Sequence, residues 1–176
     1  HGPEQGWYQH ARRAARPHSM TTPSDKTILG NLETLKHIHR VRHFVYGMIA
    51  ELDKRAREHD QSKLVSPEAE IFGEHVGMLA NVVYGSPEYE QAREKTKVAR
   101  EHHYSVNRHH PEHWPNGVDD MTLIDLVEMM CDWRAATERN KNGNIRTSIE
   151  KNTTRYSLSP QLAQIMQNTV REMFQD

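Results

Sequence analysis

Histidine and carboxylate side chains, both of which bind metal ions, are concentrated in two segments of the sequence. The first, 35–64, reads LKHIHRVRHFVYGMIAELDKRAREHDQSKL and contains the adjacent pair His59-Asp60. The second, 101–114, reads EHHYSVNRHHPEHW and holds five histidines. Imidazole nitrogen together with carboxylate oxygen, without thiolate, suits a hard-to-borderline divalent ion. The pattern therefore predicts a metal site built from histidine and aspartate.

Composition narrows the class of protein. The chain has 176 residues, 13 of them histidine, and a single cysteine, Cys131. One cysteine excludes a disulfide framework and every zinc site that needs two thiolates. The net charge of -1 gives no general attraction to nucleic acid, and no apolar run approaches the roughly 20 residues that span a bilayer. We expect a soluble, cytoplasmic protein that binds neither nucleic acid nor membrane.

A third ligand has to come from outside the His59-Asp60 pair, and the preceding helix is its natural source. His37 and His39 lie on opposite flanks of one apolar stripe there, and both are candidates. A straight helix would separate His37 from His59 by roughly 33 Å, at 1.5 Å per residue. Both can reach one ion only if the chain reverses, so the sequence predicts a break near 47–53, beside Gly47.

The segment DLVEMMCDWRAA offers a further carboxylate. Asp125 and Asp132 are seven residues apart, nearly two helical turns, so both project from one face with Glu128 between them. Cys131 and Trp133 make the surroundings of Asp132 apolar, and a carboxylate in such surroundings needs a partner. Asp132 is therefore the preferred ligand, with Asp125 as the alternative.

Helix signals dominate the chain after residue 24. Three Ser-Pro pairs have the order of a serine cap followed by proline in the first turn. They predict helices over about 67–82, 87–104 and 160–174. Two more helices are predicted, one from the possible cap Asn31 and one from Asp120 to about Arg139. Long alternating β-branched runs, typical of strands, are absent from the sequence.

The predicted fold is all-α, a compact single-domain bundle of six or seven helices over residues 21–176. Residues 1–20 differ in composition, with proline breaks and the basic stretch ARRAAR. We interpret them as a vector-derived leader or a flexible arm.

The order of the candidate ligands resembles the HD superfamily of metal-dependent phosphohydrolases. That pattern has a first histidine, here His37, then the pair His59-Asp60, and later an aspartate in an apolar helix, here Asp132 in MCDWRA. The pair is often followed closely by lysine, as Lys63 is here. The stretches HDQSKLVSPE, YGSPEY, HHPEHW and EMMCDWRAA further resemble a little-characterised phage and bacterial branch, over about residues 31–172.

The resemblance implies an HD-like helical domain that hydrolyses a phosphate ester, a nucleotide or deoxynucleotide, in a bacterial or phage-infected cell. It implies one divalent ion, or two, of Mn, Co, Fe, Zn or Mg. It also implies a small-molecule phosphate as partner and allows a homo-oligomer. The metal ligands it implies are His37, His59, Asp60 and Asp132.

Other side chains are predicted to act on the substrate. Asp60 is also expected to orient the nucleophile, as the resemblance implies, and Glu68 to orient or deprotonate the attacking water. Lys63 is expected to neutralise phosphate charge. The residues predicted to bind the substrate are Arg40, Arg134, His103, His109 and His110.

Two alternatives remain open. Some members of the HD superfamily are di-iron oxygenases that add histidines between the pair and the last aspartate. This chain has surplus histidines in that interval: His75, His102, His103, His109 and His110. The other alternative is a non-enzymatic interaction module whose histidines form an interface or a structural metal site.

Overall fold

The computed structural model describes residues 23–75, 86–139 and 143–174. These residues form seven α-helices and short 3-10 helices, and the described ranges contain no β-strand. The predicted all-α class is confirmed. The α-helices are α1 Asp25–Glu58, α2 Glu68–Glu74, α3 Pro87–Lys95, α4 Lys97–Val106, α5 Leu123–Thr137, α6 Ile145–Arg155 and α7 Pro160–Met173.

The chain divides into two units, His1–Phe44 and Val45–Asp176, and the boundary falls within α1. In the first unit the structure describes residues 23–44, and their side chains are exposed. The leader or arm predicted for residues 1–20 lies outside the described residues. No described helix combines the length and the apolar character that crossing a membrane requires.

Helix α1 differs from the prediction in two respects, its first residue and its continuity. It begins at Asp25 instead of Asn31, where the Ser24 hydroxyl accepts from the Thr27 amide at 3.3 Å. It then runs for 34 residues without the break predicted near 47–53. A single glycine inside a helix costs only about 1 kcal/mol, which explains why Gly47 does not interrupt it.

The Ser-Pro signals mark helix starts closely. Helix α7 begins at Pro160, with the Ser159 hydroxyl accepting from the Leu162 amide at 3.2 Å. Helix α3 begins at Pro87, but the helix predicted over 87–104 is divided at Thr96 into α3 and α4. Helix α2 begins at Glu68, and the rest of the helix predicted to 82 lies in 76–85, outside the described residues.

Thr122, and not the predicted Asp120, caps helix α5. The Thr122 hydroxyl accepts from the Asp125 amide while the Asp125 carboxylate accepts from the Thr122 amide, which is a capping box. Asp120 accepts instead from the Asn116 amide at 3.0 Å. The capping box fixes the rotation of α5 at its first turn and thereby the directions of the carboxylates that follow.

The apolar core of the second unit lies between α5, α6 and α7. Helix α5 contributes Met129, Met130 and Trp133 to it, whereas its Asp125, Glu128 and Asp132 lie on other parts of the helix surface. Burial of the apolar side thus holds these carboxylates in place. The remaining core residues are Ile145, Ile149, Leu158, Met166 and Val170.

Candidate metal centre

The chain turns sharply at Asp60, directly after α1. Asp60 has a φ of 57° and a ψ of 14°, in the left-handed region where aspartate and asparagine are the commonest residues after glycine. The 3-10 helix Gln61–Leu64 follows, and the Lys63 ammonium lies 2.6 Å from Asp60 Oδ2. The left-handed residue ends the long helix and aims the Asp60 carboxylate toward α4 and the histidines that follow it.

Three imidazoles are oriented by two buried glutamates. His103 Nδ1 lies 2.9 Å from Glu68 Oε2. His59 Nδ1 and His109 Nδ1 lie 2.9 and 3.1 Å from Glu128 Oε1. A carboxylate only accepts hydrogen bonds, so the Nδ1 of each ring carries a proton and donates. Each ring therefore presents Nε2 to the space around Asp60, as ligating histidines do when a carboxylate supports them.

The described residues contain three groups of side chains that could hold a metal ion, and one of them consists of Glu128 with the two imidazoles that it orients, His59 and His109. The other two groups share Asp60, and we call them the first and second donor groups.

The first donor group consists of Asp60 Oδ1 and three imidazoles, those of His103, His109 and His110. Asp60 Oδ1 lies 3.3 Å from His103 Nε2 and 3.5 Å from His109 Nε2, and the Nε2 atoms of His103 and His110 are 2.9 Å apart. Ligands about 2.1 Å from a common ion are separated by about 3.0–3.5 Å. The spacing of these atoms fits a single ion.

Two atoms of this group are buried and have no hydrogen-bond partner among the described residues: Asp60 Oδ1 and His109 Nε2. Nearly all buried polar atoms in folded proteins are paired, so an exception needs an explanation. Here both atoms belong to one donor group and face each other. A cation between them would satisfy both.

The second donor group consists of His59, Asp60 and Asp132. His59 Nε2 lies 3.5 Å from Asp60 Oδ2 and 3.8 Å from Asp132 Oδ1. Asp60 belongs to both groups and turns a different oxygen to each. We call the six residues of the two groups the histidine–aspartate centre: His59, Asp60, His103, His109, His110 and Asp132.

The centre attracts positive charge at His59. The carboxylates of Asp132 and Glu128 raise the pKa of His59 to about 10. Burial raises the pKa of the Glu128 carboxyl, but the hydrogen bonds from His109 and His59 outweigh burial and lower that pKa to about 2. The anionic side chains that stabilise a proton on His59 would equally stabilise a divalent cation in its place.

Burial acts differently at the other end of the centre. It lowers the pKa of His110 to about 3, with a further contribution from the neighbouring His109 and His103. The His110 imidazole is therefore neutral near pH 7, and the neutral imidazole is the form that binds a metal. Burial also disfavours the Asp60 carboxylate, yet the close approach of His103 and Lys63 holds the pKa of Asp60 well below its usual range.

Asp125, the alternative to Asp132, lies in a different environment. Arg55 donates to Asp125 Oδ1 at 2.9 Å, and Arg108 donates to both carboxylate oxygens at 3.2 Å. With the two bonds from Thr122, every side of this fully buried carboxylate is occupied. We call Arg55, Arg108, Thr122 and Asp125 the arginine–aspartate cluster. The structure thus places Asp132 beside the His59-Asp60 pair and Asp125 with the arginines.

Glu68 contacts two imidazoles, which the sequence did not predict. It is fully buried, with Oε1 2.7 Å from His102 Nδ1 and Oε2 2.9 Å from His103 Nδ1. Both carboxylate oxygens of Glu68 are occupied by imidazoles, and its role in orienting or deprotonating the attacking water stays a prediction. Its contacts are those of a residue that orients His103.

His37 and Arg40 are predicted site residues that belong to the first unit, on α1. Both are exposed, and α1 continues without the reversal that was predicted to bring His37 and His59 to one ion. His37 and His39 belong to none of the donor groups found among the described residues. The premise that brought His37 to His59 is therefore wrong.

The remaining predicted residues fall into two sets: Arg134 and His75 have partners outside the centre, and three histidines belong to it. Arg134 pairs with Glu138 at 3.1 Å. His75 Nδ1 lies 2.7 Å from the Ile71 carbonyl. The predicted substrate-binding histidines, His103, His109 and His110, lie in the first donor group, with the atoms that could hold a metal.

Glu128 and His102 were noted in the sequence, but sequence reasoning did not assign them the contacts that they make in the structure. Glu128 lies one turn before Asp132 and shares its face, so helical spacing alone could have singled it out. His102 reaches Glu68 on a helix 34 positions earlier, and no local signal in the sequence marks that contact.

Comparison with protein families gives one match. The model of a family of unknown function, DUF5662, matches residues 28–172, and the chain belongs to this family. Neither the curated proteins nor the solved structures contain a match to the chain.

Proposed function

We propose that this member of the DUF5662 family is a metal-dependent phosphohydrolase whose active site is the histidine–aspartate centre. The observation that carries the proposal is the pair of buried atoms without a hydrogen-bond partner among the described residues, Asp60 Oδ1 and His109 Nε2, 3.5 Å apart. Keeping such a pair inside a folded protein is unfavourable unless something binds between them. A divalent cation suits an anionic oxygen and a neutral imidazole at once.

We further propose that two ions are held, one by each donor group. His103, His109 and His110 would hold the first, and His59 with Asp132 would hold the second. Asp60 would contribute one carboxylate oxygen to each. Because all donors are nitrogen or oxygen, Mn, Co, Fe, Zn and Mg are the candidates, and the many imidazoles favour the transition metals over Mg.

Divalent ions in these positions would supply Lewis acidity and make water acidic enough to act as a nucleophile near neutral pH. The protein's own groups have the remaining tasks. Glu68 and Glu128 hold the imidazoles in one orientation. Lys63, bonded to Asp60 and partly exposed, is placed to attract a phosphate group and to offset its charge.

The substrate we propose is a phosphate ester, and the resemblance to HD proteins favours a nucleotide or deoxynucleotide. The test is phosphate release from a panel of nucleotides and simpler esters, with Mn, Co, Fe, Zn or Mg, on protein whose bound metal has first been quantified. We expect release that depends on the metal and is lost in Asp60→Asn. Metal-loaded protein that releases no phosphate from any ester would contradict the proposal.

The di-iron oxygenase remains a second candidate because the first donor group carries three imidazoles beside one carboxylate. The two activities separate experimentally. Iron bound at two ions per chain, with oxygen uptake and no phosphate release, would favour the oxygenase. Retention of the native role by an Asp60→Ala variant that folds but binds no metal would favour the non-enzymatic module.

A further inference from the structure

An apolar groove lies directly beside the histidine–aspartate centre. It runs between the last two turns of α1 and helix α5, both within the second unit, and its volume is about 400 Å³. Its apolar lining comes from residues at helical spacing on the facing sides of the two helices. These are Leu52 and Ala56 on α1, and Val127, Cys131 and Ala135 on α5.

Four polar residues also line the groove. His59 and Asp132 of the centre line it, together with Glu128 and Arg55, which are bonded to each other at 2.6 Å. A cavity of this size with an apolar lining and a few convergent polar groups is typical of small-molecule sites. The groove is therefore continuous with the place where we position the reacting phosphate.

We propose that this groove receives the hydrocarbon part of the substrate, so that among phosphate esters the enzyme prefers monoesters of hydrophobic alcohols over the nucleotides that the HD resemblance favours, whose sugar is polar. The inference rests on the proposed function, since the phosphate is placed at the centre. The apolar lining removes hydrocarbon from water, which is favourable in proportion to the area buried. A hydroxyl in the same position would lose its hydrogen bonds to water, because the apolar residues of the lining offer no side-chain oxygen or nitrogen to replace them.

Cys131 gives a direct readout of groove occupancy without turnover. It is the single cysteine of the sequence, it is exposed, and it lines the groove. We would load the protein with Mn²⁺ and measure the rate at which iodoacetamide alkylates Cys131 at increasing concentrations of an n-alkylphosphonic acid. The C–P bond of these acids is not hydrolysed. The concentration that halves the rate should fall roughly 3- to 4-fold with each added methylene from ethyl to hexyl. Equal protection by all chain lengths would overturn the proposal.

A matched pair of variants localises the effect. Ala135 and Ala136 are neighbours on α5 and both are exposed, but only Ala135 lines the groove. Ala135→Trp should fill the groove and remove the dependence on chain length, whereas Ala136→Trp should retain it. Circular dichroism shows whether both variants are folded. A chain-length dependence that survives in folded Ala135→Trp would place the alkyl group elsewhere and overturn the proposal.

Rates of hydrolysis of different phosphate esters test the groove assignment separately from the proposed function. The n-alkyl phosphates have leaving groups of nearly equal acidity, so differences in kcat/KM report binding of the alkyl chain. We expect kcat/KM to rise with chain length and to be at least about 10-fold higher for n-pentyl phosphate than for glycerol 3-phosphate, a polar ester of the same size. Hydrolysis of both esters at one rate would overturn the groove assignment while leaving the phosphohydrolase intact.

Two further outcomes are informative. If no ester is hydrolysed but longer phosphonates still protect Cys131, the groove assignment is supported and the proposed activity fails. If alkylation of Cys131 slows as the concentration of ligand-free protein rises, a second copy of the chain covers the groove, and the proposal is overturned.

Discussion

The two polar clusters along helix α5 are built from similar carboxylates and have opposite characters. In the arginine–aspartate cluster, two guanidinium groups and the capping threonine occupy both oxygens of Asp125. In the histidine–aspartate centre, the partners are imidazoles, and Asp60 Oδ1 and His109 Nε2 have no hydrogen-bond partner among the described residues. Arginine is charged at all relevant pH values and completes an ion pair, whereas a neutral imidazole such as that of His110 offers a lone pair that can bind a cation.

The comparison shows how a structural cluster can be told from a ligand site on one helix. Burial does not distinguish them, because Asp125, His103 and His109 are all buried. Completeness of the hydrogen bonding does. We therefore expect the closed cluster to contribute chiefly to stability, whereas the open centre has atoms that could bind a metal ion.

The largest effect is expected from Asp60→Asn, which removes the carboxylate shared by the two donor groups. Asparagine also tolerates the left-handed backbone of this position, so the fold is retained. In wild type, a metal ion at 100 times its Kd should raise the free energy of unfolding by about 2.7 kcal/mol. The variant keeps the three imidazoles but lacks the shared carboxylate, so the metal should stabilise it much less than wild type, as measured by urea denaturation with and without Mn²⁺ or Zn²⁺.

The matching control uses the metal-free state. With a chelator present, Asp60→Asn should remain folded but be somewhat less stable than wild type, because the neutral amide cannot replace the ion pair that the carboxylate makes with Lys63. A variant that unfolds in chelator while wild type does not would show that Asp60 is chiefly a structural residue.

Breaking the closed cluster should affect stability and leave metal binding unchanged. Asp125→Ala leaves Arg55 with only Glu128 and also removes the capping box of α5. We expect the free energy of unfolding to fall by about 3 kcal/mol, as measured by urea denaturation. The number of metal ions bound per folded chain should equal that of wild type. A loss of metal in Asp125→Ala would contradict the prediction, because it would show that the arginine–aspartate cluster takes part in metal binding.

Glu128→Gln should weaken metal binding without abolishing it. Glu128 orients His59 and His109 through their Nδ1 protons and is not counted among the ligands. Loss of such a supporting carboxylate typically lowers metal affinity 10- to 100-fold, which competition with a chromogenic chelator would measure. Glu138→Gln, at the exposed end of the same helix, is the control and should leave the affinity unchanged. An unchanged metal affinity in Glu128→Gln would contradict the role of Glu128 in supporting the ligands.

A smaller effect concerns the pH dependence of stability. Burial raises the pKa of Asp125, but the hydrogen bonds from Arg108, Thr122 and Arg55 outweigh it and hold that pKa well below its usual range. The stabilisation is therefore complete above the unfolded value, near pH 4, and is lost as the pH falls through the lower folded value. Below pH 4 the metal-free Asp125→Asn variant should lose less stability per pH unit than wild type, as measured by urea denaturation. Identical slopes would contradict this.

The sequence predicts well what depends on local signals. The Ser159-Pro160 start of α7, the helix start at Pro87 and the all-α class all follow from caps and spacing, which act within one or two turns. Local rules are sufficient for these features.

What the sequence could not predict depends on contacts between distant segments. The continuity of α1 through Gly47 is decided by the cooperativity of a long helix, so a single weak residue does not break it. The orientation of His103 by Glu68, and of His109 by Glu128, joins residues far apart in the chain. No spacing rule links them, which is why the sequence left open whether His103, His109 and His110 contact substrate or bind a second metal ion.

The central claim is that the histidine–aspartate centre holds divalent cations, and counting the ions tests it most directly. Wild-type protein and Asp60→Asn would be stripped with chelator, dialysed against Mn²⁺ or Zn²⁺, and analysed for metal by mass spectrometry. The account predicts two ions per chain in wild type and fewer in Asp60→Asn. A wild-type protein that retains no more metal than Asp60→Asn would contradict it.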